Sequence, residues 1–178
     1  MSPIGRFELQ FPASDIAALA ARFPGADETV TQRLGAAARA RGHYTRSEFV
    51  VVCAWKTPRS RPKVQANSAR AVRAATSVAL SPASSEQTRM EALLALQGVG
   101  VPTASTLLYV AFPAEYPILD VRALHALGQK PRSGYPISYW LSYLDACRGI
   151  ATEHRVSLRT LDKALWQWSK EQAPAPPG

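Results

Sequence analysis

The residue types and spacings best suited to chemistry lie between Leu96 and Asp120. Leu96-Gln97-Gly98-Val99-Gly100 separates an apolar run at helical spacing (Met90, Leu93, Leu94, Leu96) from a second helical stretch, Thr103 to Phe112. Gly98 and Gly100 can supply the positive φ angles of a tight reversal, and Pro102 suits the first turn of the helix that follows. A turn of this kind leaves unpaired backbone N–H groups where the dipole of the second helix adds partial positive charge. A phosphate fits there, against Gly98, Val99, Gly100 and Thr103. The same letters also suit an ordinary αα-hairpin. The charge balance favours the anion: 21 Lys and Arg against 13 Asp and Glu give a net charge of +8, with an isoelectric point near 9.9. Such an excess suits polyanions, either nucleic acid or an acidic membrane surface. Basic residues are densest at Lys56, Arg59, Arg61 and Lys63, in a proline-broken loop, with Arg70 and Arg73 on the next helix. They read as phosphate contacts, and each also fits a merely solvated loop.

The hairpin and the acid behind it resemble the helix-hairpin-helix DNA glycosylases (the HhH-GPD superfamily). The motif of that family is a Leu-Pro-Gly-Val-Gly turn, then Thr-Ala, then a catalytic Asp opening the next helix. Leu96, Gly98, Val99, Gly100, Thr103, Ala104 and Asp120 match it, within a similarity that spans about Met90 to Gly128. In the lyase-competent branch a catalytic Lys precedes the Asp by eighteen residues, and that position is Pro102 here. Pro117-Ile118-Leu119-Asp120 is most similar to the adenine-excising branch, which also lacks the lysine and removes a base without cutting the strand. The resemblance therefore implies a monofunctional enzyme of base-excision repair acting on double-stranded DNA. Two departures stand out. Gln97 replaces the hairpin Pro, and the iron-sulfur cluster of several branches needs four cysteines where this chain has only Cys53 and Cys147. No cluster is expected; an alkali-metal ion on the hairpin carbonyls is the one cofactor left open.

In such a reaction breakage of the N-glycosidic bond builds positive charge on the sugar. A carboxylate at Asp120 would stabilise that charge and orient or deprotonate the attacking water. Asp120 also immediately precedes a helical stretch, Val121 to Leu127, and Asp is a favoured N-cap; the two roles are compatible. An extruded base needs an apolar, aromatic pocket. Trp55, Tyr109, Tyr116 and Trp140 are the candidates, each equally readable as core packing. Trp55 and Lys56 end the apolar run that begins at Phe49 and lead into the basic loop, a placement suited to a wedge into DNA. Two alternatives remain open: a hairpin protein that binds DNA without excision, with Asp120 only a cap, and a bifunctional lyase using Lys56 or another lysine as Schiff-base nucleophile.

The elements that must position these residues read as all-α, a compact multi-helix bundle containing the helix-hairpin-helix, with a short N-terminal strand or extended arm at Arg6 to Phe11. Helices are expected from Ser14 as cap through Phe23 and over Glu28 to Arg41. Others follow over Arg46 to Lys56 behind a Thr45/Glu48 capping box, and from an Asn67 cap to about Ser81. Ser84 or Ser85 opens the hairpin helix. The last two helices run from about Ile137 to Glu153 and from a Ser157 cap over Leu158 to Lys170. This makes eight or nine helices in a single domain, 1–172, followed by a proline-rich tail, 173–178, expected to be disordered. At 178 residues, 47% of them hydrophobic, the chain can bury a core without a disulfide. Cys53 and Cys147 read as reduced core thiols. The scattered His43, His125 and His154 make no metal signature. With no signal-peptide pattern and no long apolar run, the expectation is a cytoplasmic, nucleoid-associated monomer with no membrane partner.

Overall fold

The computed structural model describes residues 6–25 and 28–172. Ten α-helices account for most of them: α1 (Ile16–Arg22), α2 (Thr29–Arg41), α3 (Arg46–Lys56), α4 (Arg61–Gln65), α5 (Ala69–Leu80), α6 (Glu86–Leu94), α7 (Val101–Ala111), α8 (Val121–Ala126), α9 (Ile137–Glu153) and α10 (Leu158–Gln172). There is no strand among the described residues. Residues 6–11 form the arm alternative: Glu8 and Gln10 donate their amides to Leu127 O and Ala126 O at 3.2 and 3.0 Å, at the end of α8. The expected tail, 173–178, lies outside the described residues.

Helix α7 organises the bundle. Its sequence, Val-Pro-Thr-Ala-Ser-Thr-Leu-Leu-Tyr-Val-Ala, has no charged residue, and ten of its eleven residues are buried. A helix apolar on all sides has to be enclosed by other helices. α2, α3, α5 and α6 pack around it, while α10 packs on α1, α8 and α9. One continuous apolar core runs through both groups, from Val52 and Leu107 to Leu124 and Leu165. The approach of α2 to α7 is close enough that a Cβ at Gly35 would stand 1.8 Å from Val110 O.

Local signals set most helix starts. Thr45 and Glu48 form the expected capping box ahead of α3, reinforced by Arg41, whose Nη1 donates to Glu48 Oε2 at 2.9 Å. Ser157 Oγ accepts from Thr160 N–H at 3.0 Å, and Ser85 caps α6. Three expectations are corrected. Ser14 sits inside a 3-10 turn, Ala13–Asp15, that leads into α1 without a side-chain cap. Ser68, not Asn67, caps α5. The basic loop after Lys56 is not a loop: a 3-10 turn, Pro58–Ser60, runs into α4, with Pro62 tolerated because it falls in the first helical turn.

Gly35 makes a sharp prediction. Gly35→Ala forces a methyl group into the α7 backbone, so the melting temperature should fall by the equivalent of about 1–3 kcal/mol or more, the usual cost of overpacking. A variant that melts like wild type would show that α2 and α7 do not approach as described.

Candidate functional site: a carboxylate-lined cavity behind the α6–α7 turn

The turn between α6 and α7 is held from outside by Asn67. Its Nδ2 donates to Gln97 O and its Oδ1 accepts the Gln97 amide, both at 2.9 Å. A proline at position 97 would have no N–H to give to Asn67. Gly98 has φ +77°, and a Cβ there would meet Lys63 Cβ at 2.8 Å, so α4 closes directly over the turn. Gly100 is corrected: its φ is −99° and its ψ 175°, extended backbone open to any residue. Val99 and Thr103 are buried, so neither side chain is offered to an external ligand. The first intrahelical bond of α7 is Ala104 N–H to Gly100 O at 2.9 Å, so the amides of Gly100, Val101 and Thr103 precede it, where anions bind helix starts. Lys63, Arg59, Arg61, Arg70 and Arg73 are exposed. Among the hairpin carbonyls, Leu96 O accepts from Val99 N–H at 3.3 Å and Gln97 O is taken by Asn67.

From the turn, α7 reaches the acid through Ser105. Its buried hydroxyl donates to Pro102 O at 2.8 Å and accepts the Leu119 amide at 3.0 Å. On the other side Tyr143 Oη donates to Ile118 O at 2.8 Å. The extended segment before α8 is thus pinned by α7 and α9, which fixes the entry of Asp120. Oδ1 of Asp120 accepts the amides of Arg122 and Ala123 at 2.9 and 2.8 Å, an N-cap. Oδ2 lies 3.7 Å from Lys56 Nζ, at the end of α3.

Asp120 and Lys56 line a cavity of about 470 Å³, within the range of ligand pockets. Trp55, Phe23, Trp166 and Ile118 supply its apolar wall; Glu28, Arg159 and Asp162 supply further charge. Arg159 donates to both acids: Nη2 to Glu28 Oε1, and Nη1 to Asp162 Oδ2 at 2.7 Å. The guanidinium lies over the rings of Tyr109 and Phe23, at 5.1 and 5.5 Å from their centroids. Tyr109 stands behind the wall and donates its hydroxyl to Glu28 Oε2 at 2.8 Å; burial pushes its pKa up to about 12, so it remains a donor.

Of the aromatics singled out in the sequence, only Trp55 lines the cavity. Tyr116 and Trp140 sit in the core instead, stacked with ring centroids 6.2 Å apart. Tyr116 Oη donates to Glu86 Oε2. The sequence reading missed Trp166, Asp162 and Arg159, although Arg159, Asp162 and Trp166 recur at i, i+3 and i+7, one face of α10. Cys53 and Cys147 are free and buried. Desolvation pushes the Cys53 thiol up to about 12 and raises Cys147 as well, which leaves both inert as nucleophiles. Among the described residues no cluster of His, Cys, Asp or Glu is suited to a metal ion, and no helix is long and apolar enough to cross a membrane. Comparison with protein-family models, curated proteins and solved structures returned no match.

The two glycines should separate by experiment. Gly98→Ala, at a positive φ and against α4, should lower the melting temperature. Gly100→Ala should leave it nearly unchanged, and any loss of duplex binding by that variant then reports on the turn surface itself. Equal melting of Gly98→Ala and wild type would contradict the contact with Lys63.

Proposed function

We propose that the protein is a DNA glycosylase that hydrolyses the N-glycosidic bond of a damaged or mismatched base in duplex DNA. The observation that carries this reading is the split use of Asp120. One carboxylate oxygen caps α8 and fixes the side chain, while the other sits beside Lys56 in a cavity walled by Trp55 and Trp166. The α6–α7 turn and the exposed basic residues near it would hold phosphates whatever the sequence. An extruded base would stack on the tryptophans. Asp120 would then face the sugar, stabilising positive charge at C1′ and taking a proton from the attacking water. The family resemblance at Leu96 to Asp120 supports the same assignment on separate grounds.

Asp120→Asn removes the charge at nearly constant shape and keeps an oxygen for the cap. Single-turnover excision should fall by about 10²-fold or more while duplex affinity and melting temperature hold. Unchanged excision would remove Asp120 from the chemistry and leave the protein a DNA-binding module.

A second reading is favoured by one specific contact. Lys56 Nζ, 3.7 Å from Asp120 Oδ2, stands where an amine could attack C1′ if Asp120 accepted its proton, giving an imine and strand cleavage by β-elimination. With Pro102 in place of the family lysine we expect the first reading: an abasic strand that breaks only under alkali, and no adduct on borohydride treatment. A trapped adduct that disappears in Lys56→Ala would establish the lyase.

A further inference from the structure

Among the described residues the cavity is lined by three carboxylates, Glu28, Asp120 and Asp162, against two cations, Lys56 and Arg159. The three acids are not equally served. Glu28 has both Arg159 and the Tyr109 hydroxyl. Asp120 has two backbone amides and Lys56. Among the described residues Asp162 has only its share of the Arg159 guanidinium, and its side chain is 8% exposed. One negative charge is left over, and at Asp162, whose side chain is nearly closed to water, a proton is the smallest group that can balance it.

We infer that Asp162 holds that proton and is the general acid of the reaction, delivering it to the departing base, so that the cavity is built for uncharged purines, whose departure protonation eases. This rests on the glycosylase reading. The division of labour follows from the surroundings of the two acids. Burial, the largest influence, raises Asp162 to about 7; Arg159 opposes it, Asp120 adds to it and Lys56 opposes it. The other groups that face Asp162 are Tyr109 from α7 and Tyr143 and Cys147 from α9, all raised by burial and protonated at neutral pH. On α1, the one basic group, Arg22, is engaged with Glu171 near the far end of α10. Two acids whose environments push their protonation apart are the arrangement that acid–base hydrolysis requires. In the step itself the Asp162 O–H bond breaks and a base N–H bond forms as the C1′–N bond breaks with its electron pair going to the base. Water adds its oxygen to C1′, and its proton goes to Asp120. Asp120 gains the proton that Asp162 loses, and transfer through solvent restores both.

The test uses the whole protein and duplexes bearing mismatched adenine, 8-oxoguanine or 7-methylguanine; the last is already cationic and needs no proton. Wild-type single-turnover excision of an uncharged base should fall by about tenfold per pH unit above 7, whereas Asp162→Asn should lose about 10²-fold or more at pH 7 and lose that pH limb. Excision of 7-methylguanine by the same variant should stay near wild type, which shows that the pocket is intact. Carboxyl ¹³C resonances, assigned by their absence from Asp162→Asn, read the proton without any activity. A titration near 7 supports the inference, and an ionised Asp162 at pH 6 overturns it. Stability against pH reads the same proton. Because the folded pKa lies above the unfolded value of 3.8, the contribution is complete below pH 3.8 and lost as pH rises through about 7, so wild type should lose melting temperature over that window more steeply than Asp162→Asn. If wild type excises none of the three bases, the glycosylase reading falls and the acid role with it. If it excises them and Asp162→Asn keeps the full rate on adenine and 8-oxoguanine, only the role of Asp162 falls.

Discussion

Burial of α7 on every side is the constraint from which the rest of the architecture follows. Its apolar surface recruits α2, α3, α5 and α6, and Gly35 permits the nearest of these approaches. Because α7 is enclosed, its few polar atoms must be paired within the protein, and the pairing of Ser105 with the Leu119 amide reaches directly to the residue before Asp120. The turn at the start of α7 and the acid that follows its end are therefore two parts of one rigid assembly. On the proposed glycosylase reading, a turn that binds phosphate and a carboxylate that reacts would be held in register by the same helix.

Around the cavity the balance runs the other way, towards charges that are costly to bury. Arg159 shares its guanidinium between two acids and lies over two rings. Lys56 closes against Asp120 from the end of a helix whose capping box and Arg41–Glu48 ion pair fix its other end. Such groups add little net stability once desolvation is counted. Their concentration beside tryptophans in a cavity is what functional sites look like, since a shifted acid in a cleft is of use to chemistry and of little use to folding.

Much of this was legible in the residues. The helical period, the Thr45/Glu48 box and the Ser157 cap place α3 and α10 almost to the residue, because those signals are local and the backbone answers to them directly. The pairing of the Gly98 turn with Asp120 was suggested only by the family resemblance, and the Ser105–Leu119 bond that links them appears only in the structure. What escaped depends on contacts across the chain. Asn67 looks like a cap and instead clamps Gln97, thirty residues away. Tyr116 and Trp140 have the right type for a base pocket, but only tertiary packing decides that they stack in the core. The Arg159, Asp162 and Trp166 face of α10 was visible as a period, yet nothing local shows that α10 turns it towards Asp120.

The most direct test of the central claim is a crystal structure of the protein on a duplex containing a tetrahydrofuran abasic analogue, which mimics the sugar left after excision. The account predicts that the analogue is rotated out of the helix into the cavity, with its C1′ position against Asp120 Oδ2 and phosphates at the amides of Gly100 and Val101. A duplex bound with the analogue still inside the helix, the cavity empty and Asp120 far from the sugar would contradict it.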